Sequence, residues 1–177
     1  MIYHGRIDID TQNEFFGKIE HFPEPLRLMC LNIWATGIRI GEACTITGGD
    51  YSFDGEDAWL KFREHKYSRI RIIPIPVCLY ELMGQYIVGK GIKTDEYVFK
   101  DENGQAYNTT TFRTQLRKIN CERENGYIFK PHKCRYRIVT EMMQDGVSVD
   151  EISDFLGHRA GHFSLPAVNG QEGLRHL

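Results

Sequence analysis

Pro131-His132-Lys133-Cys134-Arg135 opens a helix whose pattern continues through RIVTEMMQ to a stop at Asp145-Gly146. Proline is tolerated at a first helical position, because its missing N–H would have had no partner there. The i, i+3 spacing stacks His132 and Arg135 on one face near the positive end of the helix, where free backbone N–H groups favour an anion. A phosphate would suit that face. A lone His-x-x-Arg is equally the mark of a solvated helix face, so the rest of the chain must decide.

The chain has 177 residues, 41% of them hydrophobic, enough for one core with a small appendage. No apolar run approaches the roughly 20 residues that a membrane span requires, and MIYHGRIDID lacks the basic and apolar regions of a secretory signal. The expectation is a soluble, cytoplasmic protein with no membrane partner. Cys30, Cys44, Cys78, Cys121 and Cys134 include no C-x-x-C pair and mostly fall within apolar helical patterns, so they read as reduced core or helix residues. The net charge of −2 hides a segregated distribution. Lys61, Arg63, Lys66, Arg69 and Arg71 crowd one segment, and Arg113 through Arg137 another, while the acids gather elsewhere. That arrangement suits either a basic, nucleic-acid-facing surface or ordinary solvated faces.

In chain order, residues 1–10 read as an extended lead-in, and TQNEFFGKIEHF as a helix ended by Pro23. The helix from Pro25 through LRLMCLNIWAT is apolar on most sides, hence central, and Gly37 stops it. Arg39 then opens a short helix, RIGEACTI, with Glu42 one turn along to brace it. From Asp50 to Pro74 the period changes to two, and DYSF, DAWLKF and RIRIIPI predict a three-stranded antiparallel meander. Alternation puts Arg69 and Arg71 on one face of its last strand, Ile70 and Ile72 on the other, with Lys66 in the preceding turn. A helix PVCLYELMGQYIVGK, a short strand YVFK, a polar loop, and a helix TFRTQLRKINCER capped by Asn108 or a neighbouring threonine follow. The last predicted helix starts at Ser148-Val149-Asp150-Glu151, a capping box, and ends at Leu156-Gly157-His158. Residues 159–177 offer no convincing element. The fold class expected is mainly α with a small antiparallel three-stranded sheet.

Arg39, Lys66, His132, Arg135 and His158 thus all fall at element ends. With ATGIRIGEA, KYSRIRIIP, PHKCR and DEISDFLGH in this order, the chain resembles the catalytic domain of the tyrosine recombinases, the phage integrase family. The likeness covers residues from about 10 to 158 and makes residues 1–158 one integrase-like catalytic domain. It implies DNA integration and recombination in a mobile element. A tyrosine attacks a phosphodiester without a metal or other cofactor, leaving a 3′-phosphotyrosyl bond and a 5′-hydroxyl. Without a metal, guanidinium forks must meet the charge that grows on the phosphate oxygens. By the resemblance Arg39 and Arg135 do so, Lys66 protonates the leaving oxygen, His132 and His158 serve the phosphate and the tyrosine proton, and Glu42 positions them. Arg63, Arg69, Arg71 and Lys133 are further DNA-binding candidates. Double-stranded DNA and other recombinase protomers are the implied partners.

The nucleophile itself has no counterpart. Ala167 stands about nine residues past His158, where the family carries its tyrosine, and no tyrosine follows Tyr136. Tyr136 lies about 100° around the helix from Arg135 and is expected to pack in the core. The expectation is a truncated or frame-shifted piece of a larger recombinase that also carried a DNA-clamping domain, inactive as it stands. The alternatives are a non-catalytic DNA-binding module or decayed regulator on the same fold, and an unrelated helical transcription factor. A zinc site from His132, His158 and His162 lacks ligand spacing.

Overall fold

The structure is a computed structural model that describes residues 19–20, 22–64, 69–121 and 130–157. Six helices and three strands occur among them: α1 (Glu24–Thr36), α2 (Ile40–Ala43), β1 (Tyr51–Phe53), β2 (Ala58–Arg63), β3 (Ile70–Ile75), α3 (Val77–Gly89), α4 (Thr109–Cys121), α5 (Pro131–Gln144) and α6 (Val149–Leu156). The mainly helical class with one small sheet is therefore as the sequence predicts. The lead-in at 1–10, most of the first predicted helix and the 159–177 tail lie outside the described residues, as do Lys66, Cys121's side chain, Tyr127 and His158.

α1 is the centre of the core because it has almost no polar face: Leu26 and every residue from Leu28 to Thr36 are buried. Each large side chain there contributes roughly 1.5–3 kcal/mol by leaving water. The one amide among them, Asn32, is satisfied. Its Nδ2 donates to the Leu28 carbonyl at 2.9 Å and its Oδ1 accepts from the Tyr51 hydroxyl at 2.8 Å, which ties β1 to α1. Gly37 ends the helix in the left-handed region, at φ 66°, and its N–H donates to the Ile33 carbonyl.

The sheet has the order β1-β2-β3, antiparallel throughout, with Leu60 opposite both Tyr51 and Ile73, and Phe62 opposite Arg71. Ala58, Leu60, Phe62, Ile73 and Ile75 face the core. The register puts Arg71 on that same inner face, 9% exposed, while Ile70 and Ile72 stand outward at 62% and 63%. The usual assignment of polar side chains to water and apolar ones to the core is inverted here.

α5 packs across α1, and a second apolar cluster of Ile138, Val139, Met142, Ile152 and Leu156 joins α5 to α6. Arg137 fastens α5 to α1, with its guanidinium 4.0 Å from the Trp34 ring centroid and Nη2 donating to the Trp34 carbonyl at 2.6 Å. Caps fall where the sequence puts them. Asn108 Oδ1 accepts from the N–H groups of Thr110 and Thr111, and Ser148 and Glu151 bond reciprocally.

YVFK does not form a strand. The structure has only single bridges there, Thr47 to Tyr97 and Lys100 to Ala106, because the partners are turn residues rather than a second extended run. Cys30, Cys44 and Cys134 are buried free thiols and Cys78 is exposed on α3. No described helix is long and apolar enough to cross a membrane.

Candidate functional site, an arginine cluster where three helix ends meet

The site forms because α1 ends, α2 begins, α6 ends and the β2–β3 hairpin closes at one place on the side of α5. Gly37 makes the approach close: a Cβ there would lie 3.3 Å from Ile138 Cδ1 and 3.6 Å from both Arg135 Cα and Leu156 Cδ2. Two residues later, Arg39 is the N-cap of α2. Glu42, fully buried, holds it twice. Its Oε2 accepts from the Arg39 main-chain N–H at 2.6 Å, and its Oε1 accepts from Nη1 at 3.0 Å. The Arg39 side chain stays 37% exposed, so it is not sealed from a ligand.

Arg135 bridges main-chain oxygens. Nη1 donates to the Gly37 carbonyl at 2.7 Å and Nη2 to that of Leu156. Arg71 takes the two preceding carbonyls of α6, donating from Nη2 to Asp154 at 3.0 Å and to Phe155. Two guanidiniums thus occupy the last carbonyls of a helix, whose end carries partial negative charge; of these carbonyls Asp154 also accepts from the Gly157 N–H. Glu64 completes the cluster. It is fully buried at the end of β2, accepts from Arg69 Nε, and lies 3.8 Å from Arg39 Nη1.

Among the described residues of the cluster, the four arginines Arg39, Arg69, Arg71 and Arg135 outnumber the two carboxylates, Glu42 and Glu64. Arg135 is pushed down to about 10 by burial and by Arg39 and Arg71, against the opposing carboxylates Glu42 and Glu64. Arg71 is lowered as well, by burial first. Guanidinium groups hold their proton in water at any ordinary pH, so these depressions measure how poorly the cations are solvated. An anion placed among them would relieve that strain.

His132 is exposed in the first turn of α5, one turn before Arg135, and its ring tilts against that of Tyr136 at 5.7 Å between centroids. Tyr136 is 51% exposed, not packed in the core, because the i, i+4 relation sets it above His132. Lys133 is exposed on the same turn, and Arg63 at the end of β2. Among the other sequence candidates, Arg71 faces inward while Arg69 remains half exposed. Lys66 and His158 lie outside the described residues. The motifs pointed to neither Glu64 nor the carbonyls of Gly37 and Leu156. For Glu64 a signal existed, since Leu60, Phe62 and Glu64 alternate along β2 onto the inner face.

Residues 7–162 match the sequence pattern of the phage integrase family. The chain belongs to that family. It is 28% identical over 163 residues to transposase B from transposon Tn554 of Staphylococcus aureus (strain N315), covering 87% of this chain and 26% of the transposase. It is 29% identical over 154 residues to the tyrosine recombinase XerA of Pyrococcus furiosus, covering 84% of this chain and 52% of that protein. The chain therefore spans about a quarter to a half of the relatives it matches. Solved integrase-family structures share its fold. A crystal structure of XerA recombinase superposes with a TM-score of 0.65 at 19% identity, over 88% of this chain and 56% of that one. XerH site-specific recombinase, bound to its difH substrate before cleavage, gives 0.65 at 18%, over 89% and 48%.

Proposed function

We propose that this chain binds a DNA phosphodiester in its arginine cluster and derives from the strand-cleaving and rejoining domain of a tyrosine recombinase of a mobile element, inactive as it stands because it does not carry the nucleophilic tyrosine. The observation that carries the reading is the bond from Arg135 to the Gly37 carbonyl, which sets two arginines from distant parts of the sequence at one place. In the reaction a tyrosine hydroxyl attacks phosphorus, the bond to the 5′ oxygen breaks, and a 3′-phosphotyrosyl ester forms. Arg39 and Arg135 meet the charge on the two nonbridging oxygens. His132 and His158 hold the phosphate and handle the tyrosine proton, and Lys66 gives a proton to the leaving 5′ oxygen. Glu42 positions Arg39. Arg63, Arg69 and Lys133 steer the duplex, and Arg71 adds its charge from beneath. The relatives support DNA and further protomers as partners: one solved lambda integrase is a dimer on a core site and another a tetramer on a Holliday junction.

A second reading, a DNA-binding module without chemistry, is favoured by one observation, Ala167 where the resemblance calls for the nucleophile. A nicked suicide duplex separates the two. The 177-residue chain is expected to bind it in a salt-sensitive way; a covalent adduct would establish cleavage by this chain, and binding without an adduct would favour the module. Arg39→Ala should weaken binding about tenfold on any sequence and flatten the salt dependence by about one phosphate contact. Loss confined to one DNA sequence would overturn the phosphate assignment.

A further inference from the structure

Glu64 is the member of the cluster that no motif and no part of the family resemblance assigns. Its side chain is fully buried, where an ionised carboxylate is costly unless its lone pairs are used. Only half of them are. Oε2 accepts from Arg69 Nε, whereas Oε1 receives no hydrogen bond from the described residues and lies 3.8 Å from Arg39 Nη1. That same Nη1 donates to Glu42 Oε1 at 3.0 Å, so both carboxylates address one nitrogen. A guanidinium held by one bond can pivot about it; a second anion fixed at the same nitrogen selects one orientation. Glu64 is itself immobilised. Its main-chain N–H donates to the Arg69 carbonyl at 2.8 Å, and α6 closes over its head at Gly157, where a Cβ would come within 2.8 Å of Oε1.

We infer that Glu64 is a positioning residue for phosphate binding: together with Glu42 it clamps Nη1 of Arg39, so that Arg39 and Arg135 address one phosphate. The inference rests on the phosphate-binding reading and deepens it. A carboxylate that only neutralised charge would oppose DNA, and its removal would leave the contribution of Arg39 intact. A clamp makes the two residues interdependent.

The test is a double-mutant cycle on the full chain, with a short duplex of arbitrary sequence as probe. Alone, Glu64→Gln weakens binding by about fivefold, the share of the Arg39 contribution that depends on the clamp; binding as tight as the parent's would count against it. Arg39→Ala costs about tenfold in the parent and about twofold or less in the Glu64→Gln background. Without DNA, the rate at which phenylglyoxal modifies Arg39, followed by peptide mass, rises several-fold in Glu64→Gln. Additive effects with unchanged Arg39 reactivity would overturn the clamp. Failure of the parent to bind DNA would instead sink the phosphate reading, while the reactivity of Arg39 still decides whether Glu64 holds it. Should Glu64→Gln not fold, Arg69→Gln loosens the same carboxylate from its half-exposed partner; it must show coupling and reactivity changes of the same sign, and their absence would count against the clamp.

Discussion

Arg135 commits two nitrogens to main-chain carbonyls from two other helices, and an ammonium group is not shaped to replace that fork. Arg135→Lys should therefore keep the charge and lose the joint, with a stability loss of about 2–3 kcal/mol in urea unfolding and DNA affinity down at least tenfold. The role of this residue was only half legible in the sequence. His-x-x-Arg at a helix start puts both side chains on one face by spacing alone, which suits an anion site or a solvated face. The same letters cannot say that the guanidinium is buried against Gly37 and Leu156, since that depends on how α1 and α6 close on α5. Tyr136 was misplaced for a related reason: rotation around the helix gives a direction, and what stands in that direction is a tertiary fact.

Elements whose ends are set by neighbouring residues were legible nearly in full. Ser148 and Glu151 are one such case, with each N–H bonded to the other's side chain. Ser148→Ala should cost about 1 kcal/mol at neutral pH. Bonding to the Ser148 hydroxyl and N–H holds Glu151 below its ordinary value of 4.5. For a depressed carboxylate the stabilisation is present above that ordinary value and is lost as pH falls through the lower, folded-state value. Urea unfolding of the two proteins should accordingly differ most at pH 7 and less in acid, where the bond from the Glu151 N–H to the Ser148 hydroxyl remains. The end of α6 is the second case. Gly157 sits at φ 68°, and a Cβ would fall 2.5 Å from Arg71 Nη1 and 2.8 Å from Glu64 Oε1. Glycine stops are readable in a sequence; the lack of room beneath this one is not. Gly157→Ala should lower stability by about 1–3 kcal/mol, measured by the same unfolding. YVFK failed as a strand because extended propensity needs a partner run, and none lies beside it.

Across the molecule, the described core divides into a large cluster around α1 and a smaller one between α5 and α6. The arginine cluster lies on the line where they join, so an anion bound there should stabilise the whole fold. Heparin at about 100 times its Kd should raise stability by about 2.7 kcal/mol, read as a higher Tm, and Arg39→Ala should shrink that rise. An unchanged Tm would mean that the cluster takes no polyanion. The segregation of basic segments was visible in the sequence, but their convergence was not, because neither net charge nor period reports distance in space.

Arg71 and Arg135 hold the last carbonyls of α6 through bonds internal to the protein. A descendant released from selection for cutting DNA would still be penalised for losing either residue, since its helices would come apart. The survival of these two arginines in any copy of this gene is thus a record of folding, and Arg39, whose side chain is not sealed from water, is the position at which retained or abandoned chemistry would first be written.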